Sequence, residues 1–403
     1  MLLLSETIPR VIDCLFNLLK ISTQTQHLIK QRKDALIAFC NLYEQTHWHD
    51  LSPFSTDGLL NKLIDVYRRC AHDYTNDRLG DSGRLVRETA CTQLVRLFQL
   101  INENSRMRTF LNSTIQHQCL NSLLTNLCSK IDDLRVISGR ALANFLAIPF
   151  EQPIEHRDEL RRLFLDSADI DWRNSQSVFP LIVQLLTYDK YRFTIWLNCL
   201  IAAGESTGAS QALHAYLILQ KANHQLIHLL FQDLEKIFHD KQHSQMRILL
   251  PCVQACERLL SQSTFENYFA RHPQEFVQHW KTIVRLLEEI LGKKAQTLNN
   301  NPTAYTHFIK LYCSILQFSN AELKSSMIKV LSQFFLHSYP WVRRQAAQNF
   351  YETCVMFNDD LFLGIEDQAD EIMNLLTETD WEANLDQLTT IRQTVLHLFR
   401  IAE

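Results

Sequence analysis

One frame recurs three times in this chain, and it restricts the fold more than any other feature. Val86-Arg87-x-x-Ala90-x-x-x-Leu94, Leu134-Arg135-x-x-Ser138-x-x-x-Leu142 and Val342-Arg343-x-x-Ala346-x-x-x-Phe350 each space an apolar, a small and an apolar residue four apart. That spacing keeps the three on one face of an α-helix. A small residue midway lets a neighbouring helix axis come closer. The arginine lies about 100° round from the stripe, where it can point at a neighbouring turn. Turn material precedes each copy: Gly80 and Gly83 within Asp73–Leu94, then Asp132-Asp133, then Tyr339-Pro340. Three copies behind turn signals predict the inner helices of stacked helical pairs, a repeat architecture of the HEAT type.

Composition agrees. In 403 residues, 46% are apolar and 21% charged, so disorder is not the default. The 8 glycines and 9 prolines leave little turn material for a many-stranded fold, and no region sustains period-two alternation. The fold class expected is all-α, a HEAT/armadillo-like α-solenoid of about nine helix pairs at ~40–47 residues per unit. It reads as one continuous, elongated stack in three stretches, 1–148, 149–300 and 301–403, with Pro149–His156 as the first linker. A helix over Pro273–Gly292 is expected to break at Lys293–Pro302. Ser319-x-x-Glu322 and Thr379-x-x-Glu382 have the spacing of capping boxes and predict helix starts there.

A formal charge of −4 with scattered basic pairs argues against nucleic acid as the main partner. The eleven cysteines are odd in number, lack Cys-x-x-Cys and sit among apolar residues. They read as buried free thiols of a reducing compartment. Met1-Leu2-Leu3-Leu4 runs straight into Ser5-Glu6, too short for a secretory signal, and no run approaches membrane-spanning length. A cytosolic protein without membrane insertion is expected.

Constellations for chemistry are thin. His224-x-x-x-His228 has zinc-helix spacing, but Gln225 stands where a metalloprotease needs its general-base Glu. It reads as a surface pair, as do His239 and His243. Cys252-x-x-x-Cys256 lacks a second ligand pair and reads as buried thiols. Gly204-Glu-Ser-Thr-Gly208 lacks the Lys-Ser/Thr ending of a phosphate loop and reads as a turn between helices. No catalytic residue, cofactor or metal is expected, and the chain reads as a non-enzyme.

Several blocks resemble the tubulin-folding cofactor D (tubulin-specific chaperone D) family. They are Asp73-Tyr-Thr-Asn-Asp-Arg-Leu-Gly-Asp-Ser-Gly-Arg-Leu-Val-Arg-Glu-Thr-Ala90, Phe179-Pro180 with Gln184–Arg192, His337–Thr353 and Leu375–Ala383. They lie in the family's order over nearly the whole chain, and match its C-terminal portion. The resemblance implies a cytoplasmic, microtubule-associated folding factor. It would capture β-tubulin and work with cofactors E and C and a small ADP-ribosylation-factor-like GTPase, promoting GTP hydrolysis without a site of its own. Family members are longer, so Met1 is expected to start inside the array and the first helix to expose Leu2, Leu3, Ile8 and Val11. A fragment, a truncated product and a short paralogue all fit, and full chaperone activity is not implied.

From the matching blocks, Tyr74, Arg78, Asp81, Tyr191, Arg192 and Trp381 are the expected partner-binding residues. A competing reading pairs Asp81 with Arg87 inside the array and packs Trp381 in a first helical turn. Two rival functions stay open: a generic HEAT adaptor, and a GTPase activator with Arg192 or Arg343 as its arginine finger.

Overall fold

The computed structural model describes residues 2–20, 28–46, 56–76, 80–104, 107–166, 170–240 and 245–402. Among them are twenty α-helices and no β-strand. They fall into two compact units, Met1–Asn198 and Cys199–Glu403. In the first lie α1 (Leu2–Leu18), α2 (Ile29–Thr46), α3 (Thr56–Cys70), α4 (Arg84–Glu103), α5 (Ser113–Leu127), α6 (Asp132–Ala147), α7 (Arg157–Phe164), α8 (Ser175–Ile182) and most of α9 (Asp189–Glu205). The second holds α10 (Thr207–Leu219), α11 (His224–His239), α12 (Met246–Ser261), α13 (Glu266–Arg271), α14 (Pro273–Asn299) and α15 (Ala304–Ile315). It continues with α16 (Ala321–Phe334), α17 (Pro340–Met356), α18 (Asn358–Leu361), α19 (Ala369–Glu378) and α20 (Leu385–Leu398). The all-α solenoid class is borne out.

The recurring frame does what its spacing implies. In the first unit α4 is the inner helix, packed by α2 on one side and α6 on the other, with α3 and α5 also against it. Val86, Ala90 and Leu94 are fully buried, as are Leu97, Phe98 and Ile101. Each large apolar side chain so buried contributes about 1.5–3 kcal/mol against leaving it in water. The small residues set the helix separation: Ser138 of α6 brings its Oγ to 3.9 Å from Cys91 Sγ of α4. A leucine at either position would push the axes apart. In the second unit α17 plays the same part between α15 and α19, with Val342, Ala346 and Phe350 fully buried.

Helix ends differ from expectation in three places. Asn320, not Ser319, caps α16, accepting from the backbone of Glu322 and Leu323, while Ser319 Oγ bonds Asp360. Thr379 ends α19 rather than opening a helix, and Asn384 caps α20 through the Gln387 N–H. Adjacent residues with similar capping ability leave the sequence one to a few positions uncertain; the packed direction of the chain decides. The Lys293–Pro302 break is mostly helix, since α14 continues to Asn299. Gly292 lies inside it with open space around its Cα, and the Lys, Ala and Gln that follow are good helix formers.

The twenty described helices do not confirm the expected count of about nine pairs, since α7, α8, α13 and α18 have eight residues or fewer. Val11 is 42% exposed, as anticipated for the first helix; the side chains of Leu2, Leu3 and Ile8 lie outside those described. Every cysteine is a free thiol and all but Cys14 are buried. α9 ends at Glu205 and the next residue, Ser206, caps α10, so the Gly204–Gly208 segment is the helix junction that its composition implies.

Candidate functional site

Two arginines hold the described segments 70–76 and 80–83 from inside. Arg32 of α2 and Asp73 are both fully buried, 3.0 Å apart. Asp73 also accepts from the Thr75 hydroxyl at 2.5 Å and the Thr75 N–H at 3.0 Å. Arg87, the frame arginine of α4, is 2% exposed. It donates to the Asp73 carbonyl at 2.6 Å and forks onto Asp81 at 3.0 and 2.6 Å. Its guanidinium lies 4.6 Å from the Tyr74 ring centroid. A bidentate, planar cation suits this site where a lysine would not. Gly83 completes the turn: its N–H donates to the Thr75 carbonyl, and a Cβ there would come within 3.0 Å of Asp73 backbone. Only glycine permits that approach.

The other two frame arginines do the same work. Arg135 is 2% exposed and donates to the carbonyls of Ser129, Trp172 and Arg173 and to the Asp132 carboxylate. Arg343 is 5% exposed and donates to the Ala383 carbonyl at 3.3 Å. Each arginine thus ties its inner helix to a neighbouring turn. Arg343 is spent on that tie, which leaves it poorly placed to act as an arginine finger.

Of the expected contact residues, the structure gathers Tyr74 and Asp81 around Arg87. Asp81 forms the internal pair of the competing reading, though its side chain is still 31% exposed. Arg78 lies outside the described residues. Tyr191 is fully buried, with its hydroxyl donating to the Glu155 carbonyl at 2.7 Å and its ring near His117 and His156. Burial pushes the Tyr191 hydroxyl well above the ordinary tyrosine pKa. Arg192 pairs with Asp189 one turn earlier. Trp381 is buried, donates its indole N–H to the Leu376 carbonyl at 3.2 Å and packs at a tilt against Phe335, with ring centroids 4.8 Å apart. Tyr191 and Trp381 therefore fasten turns from within.

Sequence reasoning missed the Arg32–Asp73 pair. Its one signal is an arginine inside an otherwise apolar helical face. Among the described residues, one group of histidine and carboxylate donors is close enough to share an ion: His224, His272 and Glu275. Three of the buried cysteines are poor nucleophiles. Burial holds Cys70, Cys91 and Cys256 up near 12, so their thiolates are not populated at neutral pH.

Residues 117–297 match the family model described as tubulin folding cofactor D C terminal. The resemblance is to the cofactor D family. That stretch runs from α5 into α14 and includes Arg135, Tyr191 and the histidine group. A curated relative named Tubulin-specific chaperone D, from Dictyostelium discoideum, is 20% identical over 383 residues, 88% of this chain and 26% of its own length. The chain thus spans about a quarter of that cofactor D relative. A crystal structure of an engineered protein aligns over 98% of this chain and 100% of its own, at 13% identity and a TM-score of 0.22, too low to bear on the fold.

Proposed function

We propose that this chain is a tubulin-folding cofactor of the cofactor D kind, acting by binding protein rather than by catalysis. The observation that carries the reading is the match of residues 117–297 to the cofactor D C-terminal family model. The relative named a tubulin-specific chaperone supports it, and so do packed helices whose buried frame arginines are engaged in holding turns. The client is β-tubulin after chaperonin release. Cofactors E and C and a small ADP-ribosylation-factor-like GTPase join it to assemble or take apart the α/β heterodimer in the cytoplasm. GTP hydrolysis is promoted on the client.

A subunit awaiting its partner exposes surface that would otherwise aggregate. Stacked helices cover such surface over several repeats, with a few anchors carrying most of the energy. The candidate anchors are Tyr74 and Asp81 beside Arg87 and Arg192 in the first turn of α9, together with Arg78, which lies outside the described residues; Tyr191 and Trp381 support their surroundings from beneath. Among the described residues no helix is long and apolar enough to cross a membrane, in keeping with a soluble client.

Size-exclusion chromatography of the tagged chain with chaperonin-released β-tubulin tests the reading. Co-elution is expected, weakened by Arg192→Ala and Tyr74→Ala. Absence of any tubulin complex, with another cytosolic protein recovered in its place, would replace it with a general helical adaptor.

A further inference from the structure

His224 and His228 share one face of α11, and the sequence around them supplies no further ligand. Folding does. α11 packs along α14, whose N-cap is His272 and whose first turn holds Glu275. His272 is the single residue between α13 and α14, so two helix ends position it. The donor atoms of His224, His272 and Glu275 all lie within 4.8 Å of one another. His224 Nε2 is 2.9 Å from Glu275 Oε2, and the rings of His224 and His272 are 3.9 Å apart between centroids. A tetrahedral zinc ion with bonds of about 2.0–2.2 Å wants its donors roughly 3.4 Å apart. Side-chain rotations moving these donors by about an ångström bring all three onto one ion.

The surroundings support such a set. The Tyr268 hydroxyl donates to Glu275 Oε2 at 3.1 Å, and His228 Nδ1 stands 3.3 Å from the same oxygen. Glu235 accepts from His279 Nδ1–H at 2.6 Å, which leaves His279 Nε2 to accept from His228 Nδ1–H at 3.1 Å. That hydrogen-bond chain assigns the tautomers. It makes His228 an N–H donor facing Glu275 rather than a ligand. Carboxylates and hydroxyls that orient ligands from behind are the usual second layer of a metal site. A cation here faces the positive end of α14, and the charges of Glu275 and Glu235 offset that.

We propose that His224, His272 and Glu275 bind one divalent transition-metal ion of the zinc class, leaving a coordination position to water. Two imidazoles among three ligands favour zinc or cobalt over calcium or magnesium, which take oxygen. The ion clips the start of α14 onto α11. The geometry carries this independently of any tubulin role.

The test uses the full chain stripped of metal, titrated with Zn²⁺ against a chromophoric chelator and loaded separately with Co²⁺. One equivalent should bind with micromolar or tighter affinity and raise Tm. Cobalt should show visible ligand-field bands and no thiolate-to-cobalt charge transfer. His272→Gln with Glu275→Gln should weaken binding by about 100-fold or more, and Tyr268→Phe, which leaves the ligands in place, by about 10-fold. Binding only at millimolar Zn²⁺, a thiolate charge-transfer band, or an unchanged affinity in the double variant would overturn the proposal.

Discussion

Replacing each frame arginine by methionine keeps most of the packed aliphatic stem and removes the hydrogen bonds. Arg87→Met strands the buried Asp73 carbonyl, at about 1–3 kcal/mol. It also breaks the fork to Asp81, but that carboxylate is 31% exposed and rehydrates, so its share is about 1 kcal/mol or less. The sum is about 1–4 kcal/mol. Arg135→Met removes the donor from the carbonyls of Ser129, Trp172 and Arg173, all only part-buried, so at about 0.5–1.5 kcal/mol each the cost is about 2–4 kcal/mol with incomplete additivity. Arg343→Met loses one 3.3 Å bond to Ala383 and should cost about 1 kcal/mol. Urea unfolding followed by circular dichroism reads these values from midpoint shifts at constant slope. Each variant is scored on the transition of its own unit, since the chain packs as two. Arg135→Met and Arg87→Met should each cost more than Arg343→Met. An Arg343→Met cost equal to that of Arg87→Met would refute the reasoning, because the cost would then not track the carbonyls each arginine serves.

Other consequences are as direct. Native protein treated with a thiol reagent should label at Cys14 alone, and at all eleven cysteines after denaturation; prompt labelling of several in the native state would contradict the burial. His117, His307 and His337 are held below their ordinary value of 6.5, chiefly by burial. Their neutral forms favour the fold, so that contribution is complete above about 6.5 and is lost as pH falls through the lowered values. Tm should drop on acidification below 6.5, and the triple His→Gln variant should flatten that drop. Gly204→Ala drives a Cβ within 3.0 Å of Pro251 backbone in α12 and should cost about 1–3 kcal/mol or more. Gly292→Ala meets nothing and should stabilise by about 0.5–1 kcal/mol. A denaturation series that ranks the two glycines the other way would undo both estimates.

Sequence by itself determined the helical class, the inner helices and the burial of the cysteines. Those follow from local periodicity: a residue's neighbours at three and four positions lie on the same helix face wherever the helix goes. It also placed the frame arginines beside turns, because about 100° of rotation off a buried stripe is fixed by helix geometry alone. Which acceptors they reach was decided by tertiary structure, as was the burial of Tyr191 and Trp381 in positions that had looked like contact surface. Arg32 meets Asp73, and His224 meets His272 and Glu275, across separations of forty residues or more. No periodic signal spans such distances; only the packing of one helix against another brings those polar groups together, and it takes only Arg32 and Asp73 out of water's reach.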